Sequence, residues 1–184
     1  MTGTPTFTAL RHPRPAAAPG LCYGQLDLPP GPQAASEIAS ALAATPRAAA
    51  LVTSPARRAR VLAEALAARD GLALTVDPRW QELDFGTWEG RPWDAIDRAE
   101  SDPWAEDPVT RAPPGGETFA ALAVRVAAAA ADLAPGAVVV THAGPIRALR
   151  MAEQGLSFAA AFAAPVPYAT PLAFTARVET PWPI

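Results

Sequence analysis

Residues 137–141 read Ala-Val-Val-Val-Thr, an unbroken, largely β-branched run set between Pro135-Gly136 and His142. Successive side chains of a strand point to opposite faces, so a strand apolar at nearly every position must be covered on both. Such a segment belongs inside a parallel sheet with helices on each side. The rest of the chain agrees with that demand. A short strand is expected at 7–10, ending at Arg11-His12-Pro13, where proline stops it. After a Pro/Gly-rich loop over 13–32, Ala35, Ile38, Ala39 and Leu42 trace one face of a helix. A second strand at 49–52 runs into Thr53-Ser54-Pro55, read as a hydroxyl N-cap with proline at the first helical position, and Val61, Leu62, Ala65 and Leu66 carry a helix to Gly71.

A strand is expected at 72–76, a helix at 117–133, and a helix after Ala143-Gly144-Pro145 through Ile146, Leu149 and Met151. An alternating last strand is expected at 172–178. Residues 79–116 carry four of the five tryptophans and read as an irregular insertion within one domain spanning 1–184. Strands alternating with helices predict an α/β fold, a sandwich of three layers (α/β/α) with a mainly parallel central sheet, whose ligands sit beyond the carboxyl ends of the strands.

Composition narrows the function. Fifteen basic residues, all arginine, against eighteen acidic ones leave a formal charge of −3, so nothing draws the whole chain onto nucleic acid or an anionic membrane. No stretch reaches the roughly 18 apolar residues that cross a bilayer. The opening Met-Thr-Gly-Thr-Pro-Thr-Phe-Thr lacks the basic and apolar regions of a secretory signal, and Cys22 has no second cysteine to pair with. A cytoplasmic location is the expectation, with a homodimer left open.

Both histidines, His12 and His142, fall just after expected strands. Arg11 and Arg14 flank the first, and Arg57 and Arg58 follow Ser54-Pro55-Ala56 in the first turn of a helix. Guanidinium forks match phosphate oxygens, and free N–H groups at the helix starts after Ser54 and His142 favour the same anion. The implied ligand is a phosphate. A metal held by the histidines with Glu82 or Asp84 is disfavoured by the adjacent Arg11 and by the lack of a His-x-x-x-His or Cys-x-x-Cys pair. A serine hydrolase lacks its Gly-x-Ser-x-Gly elbow, and a Walker loop its lysine.

Without a metal, some group must attack phosphorus and another must protonate the departing alkoxide. Surrounding positive charge keeps an imidazole neutral and nucleophilic. Glu82, in Trp80-Gln81-Glu82-Leu83-Asp84-Phe85-Gly86, lies in an aromatic setting that favours the neutral carboxyl of a general acid, with Asp84 and Glu89 as rivals.

These residues resemble the histidine phosphatase superfamily, or phosphoglycerate mutase-like fold, in four segments taken in order. They are Leu10-Arg11-His12, Ser54-Pro55-Ala56-Arg57-Arg58, the run from Gln81 to Gly90 containing Glu82, and Thr141-His142-Ala143-Gly144. The resemblance implies that His12 is the phosphorylated nucleophile, that Arg11, Arg58 and His142 form the phosphate pocket, and that Glu82 is the general acid, with no metal or cofactor. Cys22-Tyr23-Gly24-Gln25-Leu26-Asp27-Leu28-Pro29 and Pro113-Pro114-Gly115-Gly116-Glu117-Thr118 resemble the α-ribazole phosphatase branch. This adds Tyr23, Gln25, Ala143 and Glu117 as substrate contacts and α-ribazole 5′-phosphate, an intermediate of cobalamin synthesis, as a substrate. Pro13, Arg14 and Ala143 depart from the family's usual glycine, glutamate and glycine. The expected partner is a small phosphorylated substrate; the alternatives are phosphoglycerate mutase-type transfer and a non-catalytic phospholigand-binding module. The tryptophans read as a satellite core or as a stacking wall for a flat heterocycle.

Overall fold

The computed structural model describes residues 6–175. Its elements run β1 (Thr6–Arg11), α1 (Ala34–Ala44), β2 (Ala50–Thr53), α2 (Arg57–Asp70), β3 (Leu74–Val76), α3 (Arg98–Glu106), α4 (Phe119–Ala131), β4 (Ala137–Thr141), α5 (Ala143–Gln154), α6 (Phe158–Ala163) and β5 (Pro171–Thr175). The sheet order is β3-β2-β4-β1-β5, parallel except for β5, which pairs antiparallel with β1. This is the mainly parallel α/β sheet that the valine run demanded. All five residues of β4 are buried.

Alternation along β4 divides the core. Val138 and Val140 pack with Leu62 and Leu66 of α2 and Ala41 of α1, while Ala137 and Val139 pack with Leu122 and Val126 of α4 and Ile146 of α5. Helices thus cover both faces, giving the three layers. The central pair β1 and β4 is in register from Thr8↔Val138 to Arg11↔Thr141, and the His12 N–H donates to the Thr141 carbonyl at 2.9 Å. His12 and His142 therefore leave the same edge of neighbouring strands. Beside β4, the Ser54 N–H donates to the Val140 carbonyl, which brings the loop before α2 to that edge.

Several boundaries differ from the sequence expectation. Ser54 is not the N-cap of α2, nor is Pro55 its first residue: Ala56 caps the helix, and the Ser54 hydroxyl accepts the Ala56 N–H from outside it. At its other end α2 closes on Gly71 at φ 67°, a left-handed cap open to glycine at no steric cost. The third strand starts at Leu74, and α4 starts after Thr118, whose hydroxyl accepts the Ala121 N–H. Residues 79–116 are less irregular than expected. Three short 3₁₀ turns precede α3, which tolerates Pro103 within it and begins at the Asp97 cap. A short helix, α6, capped by Ser157, was not expected among Phe158 to Ala163. Of the last expected strand, residues 176–178 lie outside the described residues. Among those described, no helix is long and apolar enough to cross a membrane.

Candidate active site

At the carboxyl edge of β1 and β4, the rings of His12 and His142 lie 4.9 Å apart, centroid to centroid. Arg58, fully buried in the first turn of α2, reaches both. Its Nε donates to His12 Nε2 at 3.3 Å and one terminal nitrogen to His142 Nδ1 at 3.3 Å, while other N–H groups hold the Leu26 and Gly24 carbonyls. Because a guanidinium only donates, these contacts assign the tautomers. His12 Nε2 carries the lone pair, and its Nδ1–H donates to the Pro13 carbonyl at 2.7 Å. His142 carries its proton on Nε2, 2.7 Å from the Ser54 hydroxyl. Pro13, which has no N–H to offer, thus orients the ring through its oxygen.

Burial, and after it the Arg58 charge, holds His12 well below the usual imidazole range. His142 is pushed the same way by burial, then by His12 and Arg58. Both rings are therefore neutral near pH 7, and the lone pair on His12 Nε2 faces the fixed Arg58 cation, whose N–H it accepts.

A cavity of about 200 Å³ opens at His12. Arg11, Tyr23, Glu82, Ala143 and Gly144 line it, together with Leu21, Phe85, Trp93 and Trp104. The Arg11 guanidinium lies over the Tyr168 ring at 3.7 Å and donates to the Val166 carbonyl and the Tyr168 hydroxyl, leaving its buried Nε without a partner. Burial, with the Tyr168 phenol next, pushes the Tyr23 hydroxyl up to about 12, so it remains a neutral donor.

The Glu82 carboxylate accepts the Gly144 N–H on both oxygens at 3.0 and 3.1 Å and the Leu83 N–H at 3.0 Å. Its setting is thus polar as well as aromatic. Asp27 likewise takes the Arg57 N–H at the start of α2. The helix starts expected to offer free N–H groups to an anion have attracted the chain's own carboxylates instead, because the same partial positive charge draws both.

The rival acids are otherwise engaged. Glu89 accepts from the N–H groups of Gly24, Gln25, Leu26 and Phe85, and Asp84 from Gly86. Nor does the structure bring every expected substrate contact to the cavity. Glu117 pairs with Arg125, whose other N–H groups hold the carbonyls of Arg79, Gln81 and Glu82, so Glu117 supports the acid segment from behind. Gln25 faces an adjoining recess beside His142 and donates to the Glu82 carbonyl. Arg14 turns to Glu37. Trp88 is buried in a small satellite core, as one reading expected, but Trp80 belongs to the main core, and Trp93 and Trp104 line the cavity. Cys22 packs with Trp88 and Ile96, and burial pushes its thiol up to about 12.

Two residues around the site escaped the sequence reading. Tyr168 meets Arg11 across a separation of 157 residues, which no local pattern reveals. Arg147 lies one helical turn beyond Ala143 on α5, and that spacing was the available signal.

The family model for the histidine phosphatase superfamily (branch 1) matches residues 8–177. This chain belongs to the histidine phosphatase superfamily. Among solved structures, mycobacterial glucosyl-3-phosphoglycerate phosphatase is 28% identical with a TM-score of 0.77, over 92% of this chain and 89% of that one. TTHB049 from Thermus thermophilus is 26% identical with a TM-score of 0.74, over 91% and 92%. The bifunctional protein Rv2228c of Mycobacterium tuberculosis is 36% identical over 111 residues, 55% of this superfamily member and 30% of that relative. The match thus spans under a third of the curated relative's length. The superfamily match and the two solved structures agree on this fold.

Proposed function

We propose that this superfamily member is a metal-independent phosphomonoesterase that hydrolyses a small phosphorylated molecule through a phosphohistidine on His12. One observation carries the reading: Arg58 joins two neutral histidine rings at one strand edge and fixes the lone pair of His12 on Nε2. That lone pair attacks phosphorus, the bond from phosphorus to the ester oxygen breaks, and the Glu82 carboxyl gives its proton to the departing oxygen. In the second step the Glu82 carboxylate takes a proton from water, whose oxygen attacks phosphorus as the bond to Nε2 breaks. Phosphate leaves and His12 is restored. Arg11, Arg58 and His142 offset charge on the equatorial oxygens.

For the leaving group, the loop resemblance around Tyr23 and Gly116 supports α-ribazole 5′-phosphate, and Trp93 and Trp104 offer flat faces to its heterocycle. The mycobacterial structural relative supports glucosyl-3-phosphoglycerate. The test is phosphate release from a panel holding both compounds, 3-phosphoglycerate, nucleotides and sugar phosphates, with rapid-quench detection of acid-labile phosphoprotein. The expected result is release on at least one ester, and a phosphoprotein that His12→Ala loses together with turnover while inorganic phosphate still binds. Isomerised phosphoglycerate without net release would replace hydrolysis by mutase transfer. Phosphate binding with no release across the panel would leave only a binding module.

A further inference from the structure

The described residues hold five buried side-chain nitrogen or oxygen atoms without a partner, and three of them belong to residues on the single cavity at His12: Arg11 Nε, Arg147 Nε and Trp104 Nε1. A buried donor left unpaired is costly, and the three residues that carry these atoms border one cavity, so this wall of the cavity is rich in donors and short of acceptors. The phosphoryl group beside His12 accounts for Arg11. It does not account for Arg147 or Trp104.

Arg147 is the more demanding of the two. Burial is the first cause pulling its guanidinium below the usual arginine range, and Arg11 and Arg150 add like charge; only Glu82 opposes them. No carboxylate forms an ion pair with Arg147 among the described residues. The guanidinium lies 4.4 Å from the centroid of the Phe162 ring, which orients it without neutralising it. Around it the walls are aromatic. Trp93 and Trp104 stack at 5.9 Å, and Phe119 meets Phe158 at 5.0 Å, all lining the cavity.

We infer that Arg147 is a specificity-determining residue that binds a carboxylate on the substrate's leaving group, and that this leaving group has a flat, apolar body held between the aromatic walls. The guanidinium fork pairs with a carboxylate in bidentate fashion, and Trp104 offers the same group a flat face. The inference rests on the phosphomonoesterase reading for the position of the phosphoryl group. It favours an acidic leaving group over a neutral one such as α-ribazole.

The test needs no turnover. Binding of phenylphosphonate and of its ortho-, meta- and para-carboxy derivatives, whose carbon–phosphorus bond resists hydrolysis, is measured by calorimetry on the wild type, Arg147→Met and Arg147→Lys. At least one carboxylated isomer should bind the wild type roughly tenfold or more tightly than phenylphosphonate. The preference should vanish in Arg147→Met and return in part in Arg147→Lys. A wild type that binds no isomer more tightly than phenylphosphonate overturns the inference whatever the variants do, as does a preference that survives Arg147→Met in a variant folded by circular dichroism. A carboxylate preference in a chain that releases phosphate from no ester supports this assignment and sinks the hydrolase reading; phosphate release without the preference does the reverse.

Discussion

The Ser54 hydroxyl lies 2.7 Å from His142 Nε2 and also accepts the Ala56 N–H, so one buried side chain fixes both a ring proton and the approach to α2. With Arg58 bound to the opposite ring nitrogen, His142 is held from both sides. Ser54→Ala removes one of the two restraints and leaves two buried N–H groups, of His142 Nε2 and Ala56, without their acceptor. Stability should fall by about 1–2 kcal/mol in denaturant unfolding. The kcat/KM for a phosphate monoester should fall about tenfold, the cost of a misplaced charge-stabilising group. Unchanged kinetics with lowered stability would confine Ser54 to holding the fold.

Two buried imidazoles held below their ordinary value make stability depend on pH. As pH falls below about 6.5 the unfolded chain takes up protons on both histidines while the native chain does not, so the native state loses ground. Above that value neither state binds these protons and the contribution is constant. Each histidine should cost up to about 1.4 kcal/mol per pH unit below 6.5 until its native form protonates. Melting temperatures in phosphate-free buffer should drop on the acid side, and drop less in a His142→Gln variant. A wild-type curve no steeper than that of the variant would count against neutral burial.

Gly144 is the residue against which the proposed acid rests. A Cβ at this position would meet Glu82 Oε1 at 2.1 Å and Leu122 Cδ1 at 3.2 Å, so Gly144→Ala must displace the carboxylate. Rates for alkyl phosphates, whose leaving oxygen needs a proton, should fall about 100-fold or more, while aryl phosphates with good leaving groups lose much less. Glu82→Gln should give the same split. Equal losses on both substrate types would move the proton transfer to another group.

How far the sequence reaches can be judged from the same residues. The β-branched run at Val138–Val140 and the strand-helix alternation were enough for the layers, because their periodicities arise from backbone geometry alone. His12, His142 and Arg58 were legible as residues that follow strands. What escaped was whatever depends on partners far along the chain. Tyr168 reaches Arg11 from the opposite end of the sequence, and Asp27 and Glu82 fill the helix starts where open N–H groups were expected. Pro103 concealed α3, since it lies past the first turn, where proline removes an N–H donor and reads locally as a breaker. In α6 only Phe158 and Phe162 stand at helical spacing, and six residues are too short a pattern to detect.

Glu89 offers the sharpest separation of structural from catalytic carboxylates. Four backbone N–H groups, of Gly24, Gln25, Leu26 and Phe85, converge on it, and the loop it gathers supplies the Gly24 and Leu26 carbonyls that hold Arg58. A carboxylate accepting that many bonds acts on the reaction through the position of Arg58, with its proton-accepting sites already occupied. Glu89→Gln keeps the shape but halves the acceptor capacity and loses the charge, and should cost roughly 2–4 kcal/mol of stability. Because the acid step is untouched, alkyl and aryl phosphates should slow by the same factor, and KM for both should rise as Arg58 loses its supports. A selective loss on alkyl phosphates, the pattern expected of Glu82→Gln, would make Glu89 a second proton donor.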